Sequence, residues 1–134
     1  MSSPLSRRRS GQRQVLLLLD WQKLSANHTV SRCAHHWVTD QSIAQSLEHF
    51  HFDDPSIPHH RETHRADRIA SILLMMEAGI VFPPLQIFVN PNGHVHIRDG
   101  HHRLRAFQYL GKTAVIKVAA RGNVAAIQHA VVSD

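Results

Sequence analysis

Between His94 and Gly111 the chain reads HVHIRDGHHRLRAFQYLG, and the first twelve of these residues hold four histidines and three arginines. Three chemistries suit that composition: a metal held by imidazoles, a phosphate held by cations and main-chain amides, or a nucleic acid held by its backbone. The order of the residues bears on the choice. Val95 and Ile97 alternate with His94, His96 and Arg98, which is strand spacing. Asp99-Gly100 breaks the strand, and Leu104, Phe107 and Leu110 then recur at helical spacing. His101, His102 and Arg103 therefore fall in the first turn of a predicted helix. A helix N-terminus leaves amide N–H groups unpaired and carries partial positive charge. Gly100 lets the main chain approach a bulky anion, and Arg103 can fork onto two phosphate oxygens. Together these parts make an anion cradle of the sort used for nucleotide phosphates. Asp99 can cap the helix, hold magnesium or activate a hydroxyl. A plain capped turn with basic side chains in solvent is the competing reading. It does not require His101, His102, Arg103 and Arg105 together, where the helix dipole favours acids.

A zinc or manganese site is the main rival. His94 and His96 share one strand face and can give two ligands to one ion. His60 and His64 stand at i, i+4 on a predicted helix. HRETH is not the HExxH metalloprotease motif, because Glu62 occupies the wrong position. No cysteine or nearby carboxylate cluster completes a zinc set, so a transition-metal site is not expected. His94 and His96 are expected either to line the same pocket as His102 or to lie exposed. Arg98, Arg105 and Glu62 are further candidates to line that pocket. Trp21 and Trp37 can stack on a base, but core packing is the stronger expectation for both.

The elements that must position these groups follow from periodicity. Val15 to Leu19 reads as a buried strand. Residues 20–39 show no clear period. Thr39 and Asp40 can cap a short helix with Ile43, Leu47 and Phe50 on one face. HFDDPSIPHH is a loop, with prolines at 55 and 58. From Arg61 to about Ala78 a helix is predicted, with Ala66, Ile69, Leu73 and Met76 as its stripe, widened by Ile72 and Met75. Gly79 suits its C-terminal cap, and Pro83-Pro84 forbids continuation. LQIFV and HVHIR form a hairpin across NPNG. After the DGHHR helix, which Gly111 ends, AVIKVAA is a further strand and NVAAIQHAVV a last helix. The pattern gives an α+β fold, a small mixed sheet flanked by helices.

The 134 residues suffice for one domain with its own core. Residues 1–13 are expected to form a disordered basic leader, and 14–134 the domain. Arg7, Arg8, Arg9 and Arg13 lie in that leader, which has no acid; without them 11 basic side chains face 10 acidic ones. The net charge of +5 is thus mostly a property of the leader, which can attract nucleic acid by counterion release. The 13 histidines would add strong positive charge below about pH 6. Cys33 is the lone cysteine, so no disulfide framework is available and a cytoplasmic setting fits. No apolar run approaches the ~20 residues of a membrane helix, and no membrane partner is expected.

The segment PPLQIFVNPNGHVHIRDGHHRLRAFQYLGKTAVIKV resembles the core of the ParB/sulfiredoxin superfamily over about residues 69–118. The resemblance implies a ParB-like domain that binds a nucleotide (ATP, CTP or ADP) through Gly100, His101, His102 and Arg103, with magnesium. It implies an NTPase, nuclease or phosphotransferase, with Asp99, His101 and Arg103 as catalytic candidates. A non-catalytic nucleotide- or DNA-binding module is the alternative. A branch of free-serine kinases carries a similar turn, matching Asp99, Gly100, His101 and Arg103. Sulfiredoxins place a catalytic cysteine where this chain has His101, so sulfinic acid reduction is not expected. The helix-turn-helix and dimerisation regions of partition ParB proteins have no counterpart in the sequence, nor does the region before residue 60 match the family.

Overall fold

A computed structural model describes residues 13–31, 35–50 and 61–132. Most of the expected leader, Cys33, His60 and the Pro55–Pro58 loop lie outside the described residues. The fold is α+β. Its strands are β1 (Val15–Leu19), β2 (Leu85–Val89), β3 (Val95–Asp99) and β4 (Ile116–Gly122). The helices are α1 (Trp21–Asn27), α2 (Asp40–Glu48), α3 (Arg61–Glu77) and α4 (His101–Tyr109), with a 3-10 helix at Val124–Ala130. They divide into two compact units. A sheet unit takes described residues 13–31, 84–100 and 112–132; a helical unit takes 35–50, 61–83 and 101–111.

In the sheet unit the strand order is β1-β4-β2-β3, with β2 parallel to β4 and the other pairs antiparallel. One face is apolar and buried: Leu85, Ile87, Val95, Ile97, Ile116, Val118 and Ala120. The hairpin turn is the expected one: Gly93, at φ 87, donates to the Asn90 carbonyl, and Asn90 donates to that of His94. Both outer strands are capped by short pieces of chain. Val30 bridges Val95 beyond β3, and Val131 bridges Leu19 beyond β1.

Four expectations for this unit are corrected. The strand Val15–Leu19 is not buried but lies at a sheet edge, where only Leu19 is fully enclosed and Leu16 is 58% exposed. Residues 20–39, without a clear period, contain α1. It starts because the Asp20 side chain accepts from the Lys23 amide, and it buries Trp21 and Leu24, too few residues for periodicity to register. The last strand is displaced by two residues, from the expected Ala114–Ala120 to Ile116–Gly122. The last helix, Val124–Ala130, is 3-10 and not α.

The helical unit is built from α2, α3 and α4. Thr39 caps α2 through its hydroxyl, which accepts from the Ser42 amide, as expected. Ile43 enters the core, whereas Phe50 falls beyond the helix end and is exposed. Ala66, Ile69 and Leu73 of α3 join Val38, Ile43 and Ala106 in one cluster, with Met76, Ile72 and Leu47 packed around it. Gly79, at φ 85, ends α3: its amide donates to the Met76 carbonyl and the Ile80 amide to that of Met75. This is the paired C-cap that glycine permits. On α4 the expected stripe holds at Leu104, which is 1% exposed, and at the partly buried Phe107, and fails at Leu110. Leu110 is 43% exposed, and the enclosed residues are the consecutive run Arg103, Leu104, Arg105 and Ala106. A helix enclosed on more than one side loses its single-face periodicity.

Candidate functional site

Helix α4 begins at His101, directly after Gly100, whose φ of 107 marks the expected glycine turn. Its first turn holds no acid. The His102 ring lies against His35, with centroids 4.2 Å apart, and the His101 ring is 6.0 Å from the same His35. From α3, Arg65 Nη1 donates to His102 Nε2 at 3.3 Å. Arginine only donates, so the neutral imidazole carries its proton on Nδ1. Burial, and then the nearby positive charges of His35, Arg65, Arg68 and His101, push the His102 pKa down from 6.5 to about 4. His35 itself sits at φ 55, a left-handed backbone that non-glycine residues adopt reluctantly.

The result is a cluster of histidines and arginines at a helix N-terminus, where burial first and neighbouring positive charge second keep the proton off His102 until about pH 4. Such a place can receive an anion, whose charge would offset the mutual repulsion. Among the described residues, no three His, Cys, Asp or Glu side chains group as a metal set.

The sequence candidates fall in several places. His101 and His102 stand at the patch. Arg103 is 8% exposed and its Nη1 donates to the Pro83 carbonyl, so this guanidinium holds the chain after α3 instead of projecting as a fork into solvent. Arg105 is equally enclosed and clamps the entry to α2, donating to the Val38 carbonyl and to Asp40 Oδ1. Glu62 is half-buried and accepts from the Ser42 and Thr39 hydroxyls. The remaining candidates belong to the sheet unit. His94 and His96 stack on each other at 4.3 Å, and His96 pairs with the Asn90 side chain. Arg98 lies over the Phe88 ring, and Asp99 is exposed at the end of β3 in register with Gln86. Trp21 is buried, and Trp37 packs on the helical core.

Sequence reasoning missed His35, Arg65 and Arg68. The signal for the two arginines was present: they stand at i, i+3 on a predicted helix, so they share a side of it. Nothing local marked His35, which reaches the patch only through the fold.

The depressed His102 pKa has a consequence for stability. In the unfolded chain the ring takes a proton near pH 6.5, and in the folded chain only near pH 4. Between these values the unfolded state binds more protons, so this contribution is intact above pH 6.5 and is lost as pH falls toward 4. His102→Gln is expected to flatten the fall in urea midpoint between pH 7 and pH 4. An unchanged slope in the variant would show that the ring is not buried among cations.

Comparison with protein-family models, with curated proteins and with solved structures finds no match. Among the described residues no helix is long and apolar enough to cross a membrane.

Proposed function

We propose that this chain is a cytoplasmic, ParB-like nucleotide- or phosphate-binding protein, in which a phosphate sits at the N-terminus of α4 and is hydrolysed or transferred. The observation that carries the reading is the acid-free first turn of α4, where the rings of His35, His101 and His102 gather and Arg65 donates to His102. The resemblance of residues 69–118 to the ParB/sulfiredoxin superfamily supports the choice of a nucleotide as the anion's source. Magnesium would arrive bound to the nucleotide's phosphates and would offset part of their charge. In the bound state the phosphate oxygens would accept from the α4 amides and from Arg65, and His102 would gain a proton.

A second reading, binding without turnover, is favoured by one observation. Arg103, the cation best suited to stabilise a transition state, is committed to the Pro83 carbonyl.

The test is to titrate the chain with pyrophosphate, ATP, CTP and ADP with magnesium, while following melting temperature, phosphate release and the His102 ring by NMR. A bound anion is expected to raise the melting temperature and to move the His102 pKa up from about 4. Arg65→Ala and Arg68→Ala are each expected to weaken binding. No melting shift and no movement of the His102 resonance with any ligand would refute the phosphate site. Binding without phosphate release would favour the second reading. Cleavage of DNA, or phosphorylation of serine, would instead identify the acceptor.

A further inference from the structure

The sheet has a second face, opposite the apolar one. Register places Leu16 beside Ala119, Ala119 beside Gln86, and Arg121 beside Phe88. Phe88 is also in register with His96 of β3. A bulge in β3 then pairs Gln86 with Asp99 and leaves Arg98 as the extra residue between Ile97 and Asp99, its guanidinium 5.4 Å from the Phe88 ring centroid. On β4, Arg121 Nη2 donates to Gln14 Oε1 at 3.0 Å. These side chains border a cleft of about 390 Å³ on the sheet, with Gln14, Gln86, Phe88, Arg98 and Arg121 around it and the small Ala119 among them. None of the lining residues is acidic. Lys117, exposed and in register with Leu18, extends the positive charge toward β1.

We infer that this open face binds single-stranded nucleic acid. The inference does not depend on the phosphate site of the helical unit. The half-buried Phe88 ring, with the Arg98 guanidinium over it and Arg121 in register beside it, is a stacking platform: a base can stack on the ring or on the guanidinium plane, and every base has a face that fits. Arg98 and Arg121 stand where the phosphates on either side of that base must run. Gln14 and Gln86 offer amide donors and acceptors to a base edge. The cleft volume falls in the range of small-ligand sites, roughly 300–1,000 Å³, so it takes one flat group and not an extended apolar segment. Duplex DNA would present phosphates but keep its bases stacked away from Phe88.

The test uses the whole chain and a fluorescent oligothymidylate of about 10 nucleotides, within the ~4–16 that single-strand sites of this kind span. Anisotropy is read across salt concentrations. The wild type is expected to bind, with affinity falling as salt rises. Arg98→Ala and Arg121→Ala are each expected to reduce the salt slope by about 0.7, the value for one single-strand phosphate. Phe88→Leu keeps an apolar side chain under the cleft but removes the ring. It is expected to weaken binding about tenfold at fixed salt while leaving the slope unchanged. Melting curves identify any variant that has lost its fold, and Gln86→Ala, at an exposed position, then serves as a milder probe of the same cleft. The proposal is overturned if the wild type does not bind at low salt, or if folded variants all bind like the wild type. Equal competition by a duplex of the same length, by polyglutamate or by anionic vesicles would overturn it as well, since each lacks an accessible base.

Discussion

Arg105→Ala is expected to lower the stability of the helical unit by roughly 2–4 kcal/mol. Arg105 is 8% exposed, and its Nε and Nη2 reach the Val38 carbonyl at 3.1 and 2.7 Å. The same Nη2 meets Asp40 Oδ1 at 2.6 Å. Truncation leaves a buried carbonyl without a donor at the entry to α2 and opens a void beside Val38, which is itself fully enclosed. Lysine cannot replace the fork, so Arg105→Lys is expected to recover less than half of the loss. Asp40 contributes little by comparison: its side chain is 72% exposed, and Asp40→Asn is expected to change stability by less than about 1 kcal/mol. Urea denaturation checks this with two reporters. Trp37 fluorescence reads the helical unit and Trp21 the sheet unit, each in a background where the other tryptophan is phenylalanine. A midpoint for Arg105→Ala equal to that of Asp40→Asn would show that the clamp is only a surface ion pair.

The other large effect is expected at Gly122, the last residue of β4. Its φ is 88, where a side chain is strained, and an added Cβ would press into the Val89 carbonyl oxygen and crowd two Phe88 ring carbons at 3.1 Å. Neither neighbour can yield cheaply. Val89 is in register with Gly122 in the parallel pair, and the Asn123 amide donates to the same Val89 carbonyl at 2.8 Å. Gly122→Ala combines backbone strain with overpacking, and is expected to lose roughly 2–6 kcal/mol. Gly79→Ala supplies the contrast: φ is 85, but an added Cβ meets nothing within 4 Å, so only the strain remains. Trp21 fluorescence in urea measures the first, and Trp37 the second. Equal losses at the two glycines would mean that β4 shifts to make room.

The elements legible in the sequence are those with a strong local signature. Helix α3 shows a long apolar stripe and a glycine stop, and the β2–β3 hairpin alternates around NPNG. Helix α2 announces itself through Thr39. The misreadings share one physical cause: burial is set by partners that are distant in sequence. Five apolar residues at β1 look like a core strand, yet their place at the sheet edge leaves most of them in contact with water. Arg103 and Arg105 look like solvent-facing cations, yet each finds a main-chain carbonyl that no local pattern foretells. The N-terminus of α4 was visible as a glycine turn before a basic helix. What surrounds it was not, because His35 and the arginines of α3 come from other segments. The basic and aromatic face of the sheet was hidden for a similar reason. Phe88, Arg98 and Arg121 belong to three strands and meet only through register.

Neither compact unit is a continuous stretch of chain. The helical unit is assembled from two segments, the second of which is little more than α4, entered from β3 and left toward β4. Conventional truncation mapping is therefore the wrong instrument here. A fragment ending anywhere between Arg32 and Gly111 removes parts of both units at once, so loss of binding in such a fragment would not assign the activity to either. Fusion boundaries and deletion endpoints inherit the same ambiguity. Attribution has to come from point substitutions, with one tryptophan reporting from each unit.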